Sequence, residues 1–277
     1  MPELPELQAH AERLGEDFGG VELAGFRPIT FTALKTYQPD PSEAFGSPVA
    51  SFGRRGKYLL MEVGPVTFVI HLMQGGRLRP DEKQAAKPRG GIARWTFADG
   101  RALLLTEPGT ERKAGVWVVA GDLESQAPIE GLGPDADTLD AVGWAAVLAS
   151  RSSRLHGVLR DQHAVAGIGR RLANEICHRA KLSPFANASK LKPEQVASLA
   201  AAVQECIAES LAEERTHDEM VKSAERGGIH HAAGQPCPRC GDTLRTVEYR
   251  AYTVVYCPTC QTDGKVLADN TTSKFLK

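Results

Sequence analysis

No apolar run in the 277 residues approaches the ~18 needed to cross a bilayer, which argues against a membrane protein. The first residues lack a basic segment followed by an apolar stretch, so no signal peptide is expected. The chain reads as soluble and cytoplasmic. A basic surplus is missing as well: 33 Lys and Arg stand against 34 Asp and Glu, a net charge of −1. Nucleic-acid binders usually carry such a surplus, yet the electrostatic footprint that matters is local. Between residues 151 and 192 lie Arg151, Arg154, Arg160, Arg170, Arg171, Arg179, Lys181, Lys190 and Lys192, against only Asp161 and Glu175. The acidic surplus is concentrated around 122–140 and 205–219. Repeats and low-complexity tracts are absent, and nothing signals oligomerisation, so a monomer is expected. Cysteine is sparse, and without signs of secretion metal ligation is favoured over disulfides. Cys177 and Cys206 stand alone in helix-like segments.

What is present has two textures, and the length suffices for two cores. Leu4, Leu7, Ala11, Leu14 and Phe18 recur at helical spacing and predict a helix over 4–18. Short β-rich runs follow: 21–26, 49–52, 58–63, 67–72, 92–97, 101–106 and 115–119, with Ala98-Asp99-Gly100 as a hairpin turn. Such a series suggests a sandwich or barrel. We therefore place an N-terminal domain at 1–120 and a Gly-, Pro- and Asp-rich linker at 121–138. Helical patterns at 139–149, 153–162, 170–180 and 193–212 fill a second domain, 139–235, with Pro193 suited to a first turn. A cysteine-bearing segment, 236–261, and a polar tail, 262–277, complete the chain.

Cys237-Pro-Arg-Cys240 and Cys257-Pro-Thr-Cys260 are two C-x2-C knuckles. Four thiolates at that spacing suit one tetrahedral zinc in a β-hairpin ribbon, with Thr243–Tyr256 as the hairpin. The zinc would be structural, since no coordination position is left open. An iron–sulfur or redox dithiol centre is the competing reading. His230 and His231 read as loop residues rather than ligands.

Ala166-Gly167-Ile168-Gly169-Arg170 lies between two helical patterns. Glycines there allow close backbone approach, and the following helix start offers N–H groups to a phosphate. A plain helix–helix turn would look similar. At the N-terminus, Pro2 is small enough for Met1 to be trimmed, leaving a secondary amine. An α-amino pKa near 8 keeps a useful fraction neutral, and such an amine can attack a sugar C1′. Glu3 and Glu6, one helical turn apart, can serve as proton carriers at that site. Pro and Glu also belong in any first helical turn, and taken alone these residues favour simple capping. Arg54-Arg55-Gly56-Lys57 reads as a basic tight turn able to grip phosphate.

Taken together, these pieces resemble the formamidopyrimidine-DNA glycosylase / endonuclease VIII family of base-excision repair enzymes. The matching residues are Met1-Pro-Glu-Leu-Pro-Glu6, Gly56-Lys57, His71-Leu72, Leu132-Gly133-Pro134-Asp135 and Asp161-Gln162. Gly167-Ile168-Gly169 with Ala173 and Glu175, and the ribbon ending Cys257-Pro-Thr-Cys260-Gln261, complete the match. The resemblance implies an α+β multidomain fold. It comprises an N-terminal β-sandwich with an N-terminal helix, a helix–two-turn–helix domain and a C-terminal zinc-ribbon finger. It implies a bifunctional DNA glycosylase and abasic-site lyase acting by β,δ-elimination. Pro2 would be the nucleophile, Glu3 the general acid/base, Glu6 a second acid and Lys57 a phosphate contact in the catalytic site. His71, Arg112, Gly167, Gly169, Arg170 and Arg250 would contact DNA. The partner would be double-stranded DNA with a damaged base or abasic site, in a nucleoid-associated cytoplasmic protein.

Three departures from the family pattern stand out. Arg170 replaces the usual Asn. Counting back from Cys257, Tyr252 takes the finger's usual Arg position, with Arg250 two residues earlier. His71-Leu72-Met73-Gln74-Gly75 shifts a Met by one, and Glu107-Pro-Gly-Thr-Glu-Arg112-Lys113 lacks the family's Arg-Phe pair. These point away from a standard 8-oxoguanine enzyme, towards oxidised pyrimidines, abasic sites or ring-opened purines. A damaged-DNA binding protein of the same fold, with base excision lost, is the alternative reading.

Overall fold

A computed structural model describes residues 1–221, 225–249 and 252–267. The chain divides into two compact units, Met1–Gly131 and Leu132–Lys277.

The first unit begins with helix α1, Leu4–Phe18, whose start is set by Pro5 in the first turn and Glu3 at the cap. Its buried stripe includes Leu4, Leu7, Leu14 and Phe18, each contributing roughly 1.5–3 kcal/mol by leaving water. Eight strands follow: β1 (Leu23–Pro28), β2 (Val49–Arg55), β3 (Tyr58–Val63), β4 (Val66–His71), β5 (Arg77–Pro80), β6 (Gly91–Phe97), β7 (Ala102–Thr106) and β8 (Gly115–Ala120). They form two antiparallel sheets ordered β1-β6-β7-β5 and β2-β3-β4-β8. Strand β3 shows the expected period of two, burying Leu59, Met61 and Val63. The sheets meet through aromatic rings: Phe26 lies 5.1 Å from Trp95 on its own sheet and 5.4 Å from Phe68 on the other.

Two details differ from the sequence expectation. Strand β5 has no alternating apolar pattern; of its four residues only Leu78 is buried. Its pairing with β7, Leu78 opposite Leu105, makes it a strand, so tertiary context overrides local propensity. Arg54 and Arg55 belong to β2 rather than to the turn, which is Gly56-Lys57 alone. Arg55 is committed to Glu124, with Nε 2.8 Å from Oε1 and Nη2 3.1 Å from Oε2. The basic tip of this hairpin is therefore Lys57.

The second unit contains α2 (Ala141–Ala149), α3 (Leu155–Arg160), α4 (Arg170–Arg179) and α5 (Pro193–Arg215). The hairpin β9 (Arg245–Tyr249) and β10 (Tyr252–Tyr256) and the short helix α6 (Pro258–Gln261) follow. Helix α4 is the hub, packing on α3, α5 and β10. Its Asn174 is fully buried and satisfied on several sides: Nδ2 lies 2.7 Å from His230 Nδ1, and Oδ1 accepts the Val255 N–H at 3.4 Å. Buried amides in such positions are retained when their partners are complete. Residues 121–138 contain two short 3-10 turns, Leu123–Ser125 and Ala136–Thr138, and the units part within that stretch.

Candidate functional site

In the first unit, the start of α1 brings two carboxylates together. Glu3 and Glu6 are 5% and 2% exposed, and Glu6 Oε2 accepts the Glu3 backbone N–H at 2.5 Å. Buried carboxylates beside a helix N-terminus complement its positive end. Pro2 is buried next to them. His71 ends β4. Burial pushes its pKa down from 6.5 to about 4, with further lowering by the charges of Lys57 and the chain N-terminus. His71 Nδ1 accepts the Met73 N–H at 3.1 Å, so the neutral ring carries its proton on Nε2. Tyr58 packs on the same ring at 4.7 Å.

Arg112 stands on the exposed loop 108–113, three residues before Gly115, which is opposite His71 in the β4–β8 register. Glu107 ties the base of this loop: its Oε2 accepts the N–H groups of Lys113 at 2.6 Å and Ala114 at 2.7 Å. The loop also abuts the turn after β4, since a Cβ on Gly75 would lie 3.3 Å from Pro108. The two divergent segments of the sequence are thus neighbours. Met73 adopts φ 54°, a left-handed conformation uncommon for a side-chain-bearing residue.

In the second unit, Gly167, Gly169 and Arg170 come together between α3 and α4. Gly167 has φ 96°, a value that only glycine adopts without strain. Gly169 caps α4, and Arg170 is its first, exposed residue. The bracing of this turn falls to Gln162. Its Oε1 accepts the Gly167 N–H at 3.0 Å, and its Nε2 donates to the carbonyls of Ile168 and Arg160, each at 2.9 Å. The Leu132–Asp135 motif runs alongside: Gly133 N–H donates to Gln162 O and Ala166 N–H to Pro134 O, both at 2.8 Å. In the sequence Gln162 stands only as part of the Asp161-Gln162 motif; a polar side chain beside a Gly-rich turn is the one local signal of its bracing role. Arg250 lies outside the described residues, as do residues 268–277 of the tail.

The four thiols Cys237, Cys240, Cys257 and Cys260 place their sulfurs within 4.8 Å of one another. Zn–S bonds of about 2.3 Å in a tetrahedron require sulfurs about 3.8 Å apart, so the donor set and its spacing fit zinc. Around them, Ile229, Leu244 and Val255 form a small apolar core. Asp242 accepts from the Thr259 hydroxyl at 2.8 Å, and Gln261 Oε1 accepts the Cys257 N–H at 2.8 Å. Neither His230 nor His231 joins the cluster.

Comparison with known proteins follows the same division. Residues 1–117 match the formamidopyrimidine-DNA glycosylase N-terminal domain, 131–221 the formamidopyrimidine-DNA glycosylase H2TH domain, and 234–262 the zinc finger found in FPG and IleRS. The formamidopyrimidine-DNA glycosylase of Moorella thermoacetica is 32% identical over 267 residues, covering 89% of this chain and 94% of that protein. A formamidopyrimidine-DNA glycosylase-like protein of Mycobacterium tuberculosis is 41% identical over 149 residues, 53% of this chain and 94% of its own length. Among solved structures, the MutM (Fpg) protein of Thermus thermophilus has the same fold, with a TM-score of 0.81 at 26% identity, covering 94% of this chain and 98% of that one. The Lactococcus lactis enzyme, crystallised with DNA containing an abasic site, gives 0.80 at 20% identity, with coverage of 94% and 99%. The finger match and the clustered thiols identify the metal centre as a structural zinc site. Matched in order from residue 1 to residue 262, this chain belongs to the formamidopyrimidine-DNA glycosylase family.

Proposed function

We propose that the protein is a bifunctional DNA glycosylase and abasic-site lyase whose nucleophile is the amine of Pro2, freed by removal of Met1. The observation that carries this reading is the buried Glu3–Glu6 pair beside Pro2 at the start of α1. The pair forms the capping box of α1, but full burial of both carboxylates costs more than a cap requires and suits a site that moves protons. Met1 is 40% exposed, accessible for trimming.

In the proposed reaction the proline nitrogen attacks C1′ of the damaged nucleotide as the bond to the base breaks. The base leaves with the proton shed by the proline nitrogen. Glu3 delivers a proton to the ring oxygen O4′ as the sugar opens, leaving an iminium at C1′. Loss of a C2′ proton then expels the 3′ phosphate, loss of the C4′ proton expels the 5′ phosphate, and water hydrolyses the iminium to free Pro2 and the sugar remnant. Lys57, at the β2–β3 tip, is assigned to a phosphate near the reacting sugar. His71 presents a neutral Nε2–H to the DNA, and Glu6 holds the backbone of Glu3. The substrate is duplex DNA with a damaged base or abasic site, the nucleotide being extruded from the stack. Gly167, Gly169, Arg170, Arg250 and Arg112 are assigned to DNA contacts. The domain division at 1–120, 121–138, 139–235 and 236–261 is kept as part of this reading, with the protein acting as a monomer. DNA bound to the Lactococcus structure of this fold and the relatives' glycosylase names support the substrate class.

Borohydride trapping on duplex DNA with one abasic site tests the nucleophile. A covalent band from the Met1-processed protein, lost in Pro2→Gly with DNA binding retained, is the expected result. Tight binding with no band from the processed protein would favour a damaged-DNA binding protein instead.

A further inference from the structure

Arg154, which caps the start of α3, and Arg160, its last residue, meet two tyrosines of the finger hairpin in the second unit. Tyr249 ends β9 and Tyr252 begins β10, opposite each other in register. Their rings stack at 4.7 Å with an interplanar angle of 15°. Arg160, the last residue of α3, lays its guanidinium 3.7 Å over the Tyr252 ring. His156, one turn earlier, lies nearly parallel to the same ring at 5.8 Å. Arg154, at the start of α3, donates to the Tyr249 hydroxyl and sits 5.9 Å from the rings of both Tyr249 and Phe185. Arg154 is exposed, and Arg160, Tyr249 and Tyr252 are half-buried.

We propose that Arg154 and Arg160, carried on the Tyr249–Tyr252 platform, form a binding site for the phosphodiester backbone of DNA. The inference rests on the reading of the protein as a DNA-binding enzyme. A guanidinium held on an aromatic face keeps its charge, and its planar fork of N–H donors suits phosphate. Stacking also limits its rotamers, so less entropy is lost on binding. The site is continuous with the phosphate turn, because Gln162, which braces Gly167 and Ile168, also holds the Arg160 carbonyl. Helix and hairpin would thus grip the backbone as one element.

The test is binding of the full zinc-loaded protein to a duplex carrying one tetrahydrofuran abasic analogue, measured across a salt series. Wild type is compared with Arg154→Gln, Arg160→Gln, Tyr252→Leu, Arg160→Gln/Tyr252→Leu and Arg250→Ala. Each arginine variant should bind about tenfold more weakly, with the salt slope reduced by about 1. Tyr252→Leu should match the loss of Arg160→Gln, and the double variant should add little to either. Zinc content and Tm are recorded for every variant, so a misfolded finger is recognised. Wild-type affinity and slope in both arginine variants would overturn the site, as would a loss confined to Arg250→Ala. A silent Tyr252→Leu beside an impaired Arg160→Gln would overturn the platform. Failure of wild type to bind the duplex would overturn the DNA reading itself, and this site with it.

Discussion

Gly133 is fixed by what lies next to it. A Cβ there would fall 2.5 Å from the carbonyl oxygen of Ala164 and 2.8 Å from the nitrogen of Val165, backbone atoms with no room to give. Gly133→Ala should therefore destabilise the second unit by about 1–3 kcal/mol, read as a Tm several degrees lower; an unchanged Tm would show that the two segments separate freely. Glu107 makes a different kind of contact, satisfying two backbone N–H groups with one carboxylate oxygen. Glu107→Ala orphans both donors, at about 1–3 kcal/mol each, and should release the loop that carries Arg112. Faster proteolysis within residues 108–113 is the expected readout, and wild-type resistance would count against the clamp. At the proposed chemical centre, Glu3→Gln keeps shape but removes the titrating oxygen. Base release should slow by at least about 100-fold while duplex affinity stays near wild type; unchanged excision would remove Glu3 from its assigned role. The sequence pointed to Glu3 through its place after Pro2. It gave no sign that Gly133 faces a backbone, because that neighbour is some thirty residues away in the chain.

Among the elements, the finger is the one built around a metal centre. Ile229, Leu244, Val255 and two of the cysteines form one buried cluster around the thiols, and Val247, Val254 and Tyr256 of the hairpin are buried as well; a two-stranded hairpin of this size still needs its metal to hold. Chelation should expose all four thiols to a thiol reagent, open residues 237–260 to protease and weaken DNA binding. Protection of the thiols after complete zinc removal would contradict a metal-dependent finger. Helix α1 and strand β3 were legible because their buried faces follow periods of 3.6 and 2. Strand β5 was not, because one buried leucine between arginines carries no period and only its partner β7 makes it a strand. The β2–β3 turn was drawn too wide for a related reason: Arg55 has turn-like polarity, but pairing with Tyr58 and the bond to Glu124 keep it in the strand.

Over the whole molecule, buried histidines set a pH dependence. Burial lowers His10 and His71 from 6.5 to about 4, and His156 to about 3. Below pH 6.5 the unfolded chain takes up protons that these folded sites refuse. Stability from these groups is thus complete above about pH 6.5 and falls progressively as pH drops towards 4. A Tm series from pH 8 to pH 4 should decline over that window, whereas a flat series would mean that the rings are solvated. Net charge is nearly zero, so any DNA affinity must come from local cations, and it should fall steeply with added salt. What the sequence determined by itself was whatever depends on residue type and short spacing: helix α1, most strands, the four thiolates of the zinc centre and the glycine turn. What only the tertiary structure decided was which distant groups meet. Gly133 meets the backbone of Gln162 and Ala164, Asn174 meets His230 and Val255, and Arg154 and Arg160 rest on tyrosines of the hairpin, where the finger sequence alone suggested a missing cation. Such contacts join residues up to roughly a hundred positions apart, and the physical reason they escape a reading along the chain is that packing, not local propensity, selects them.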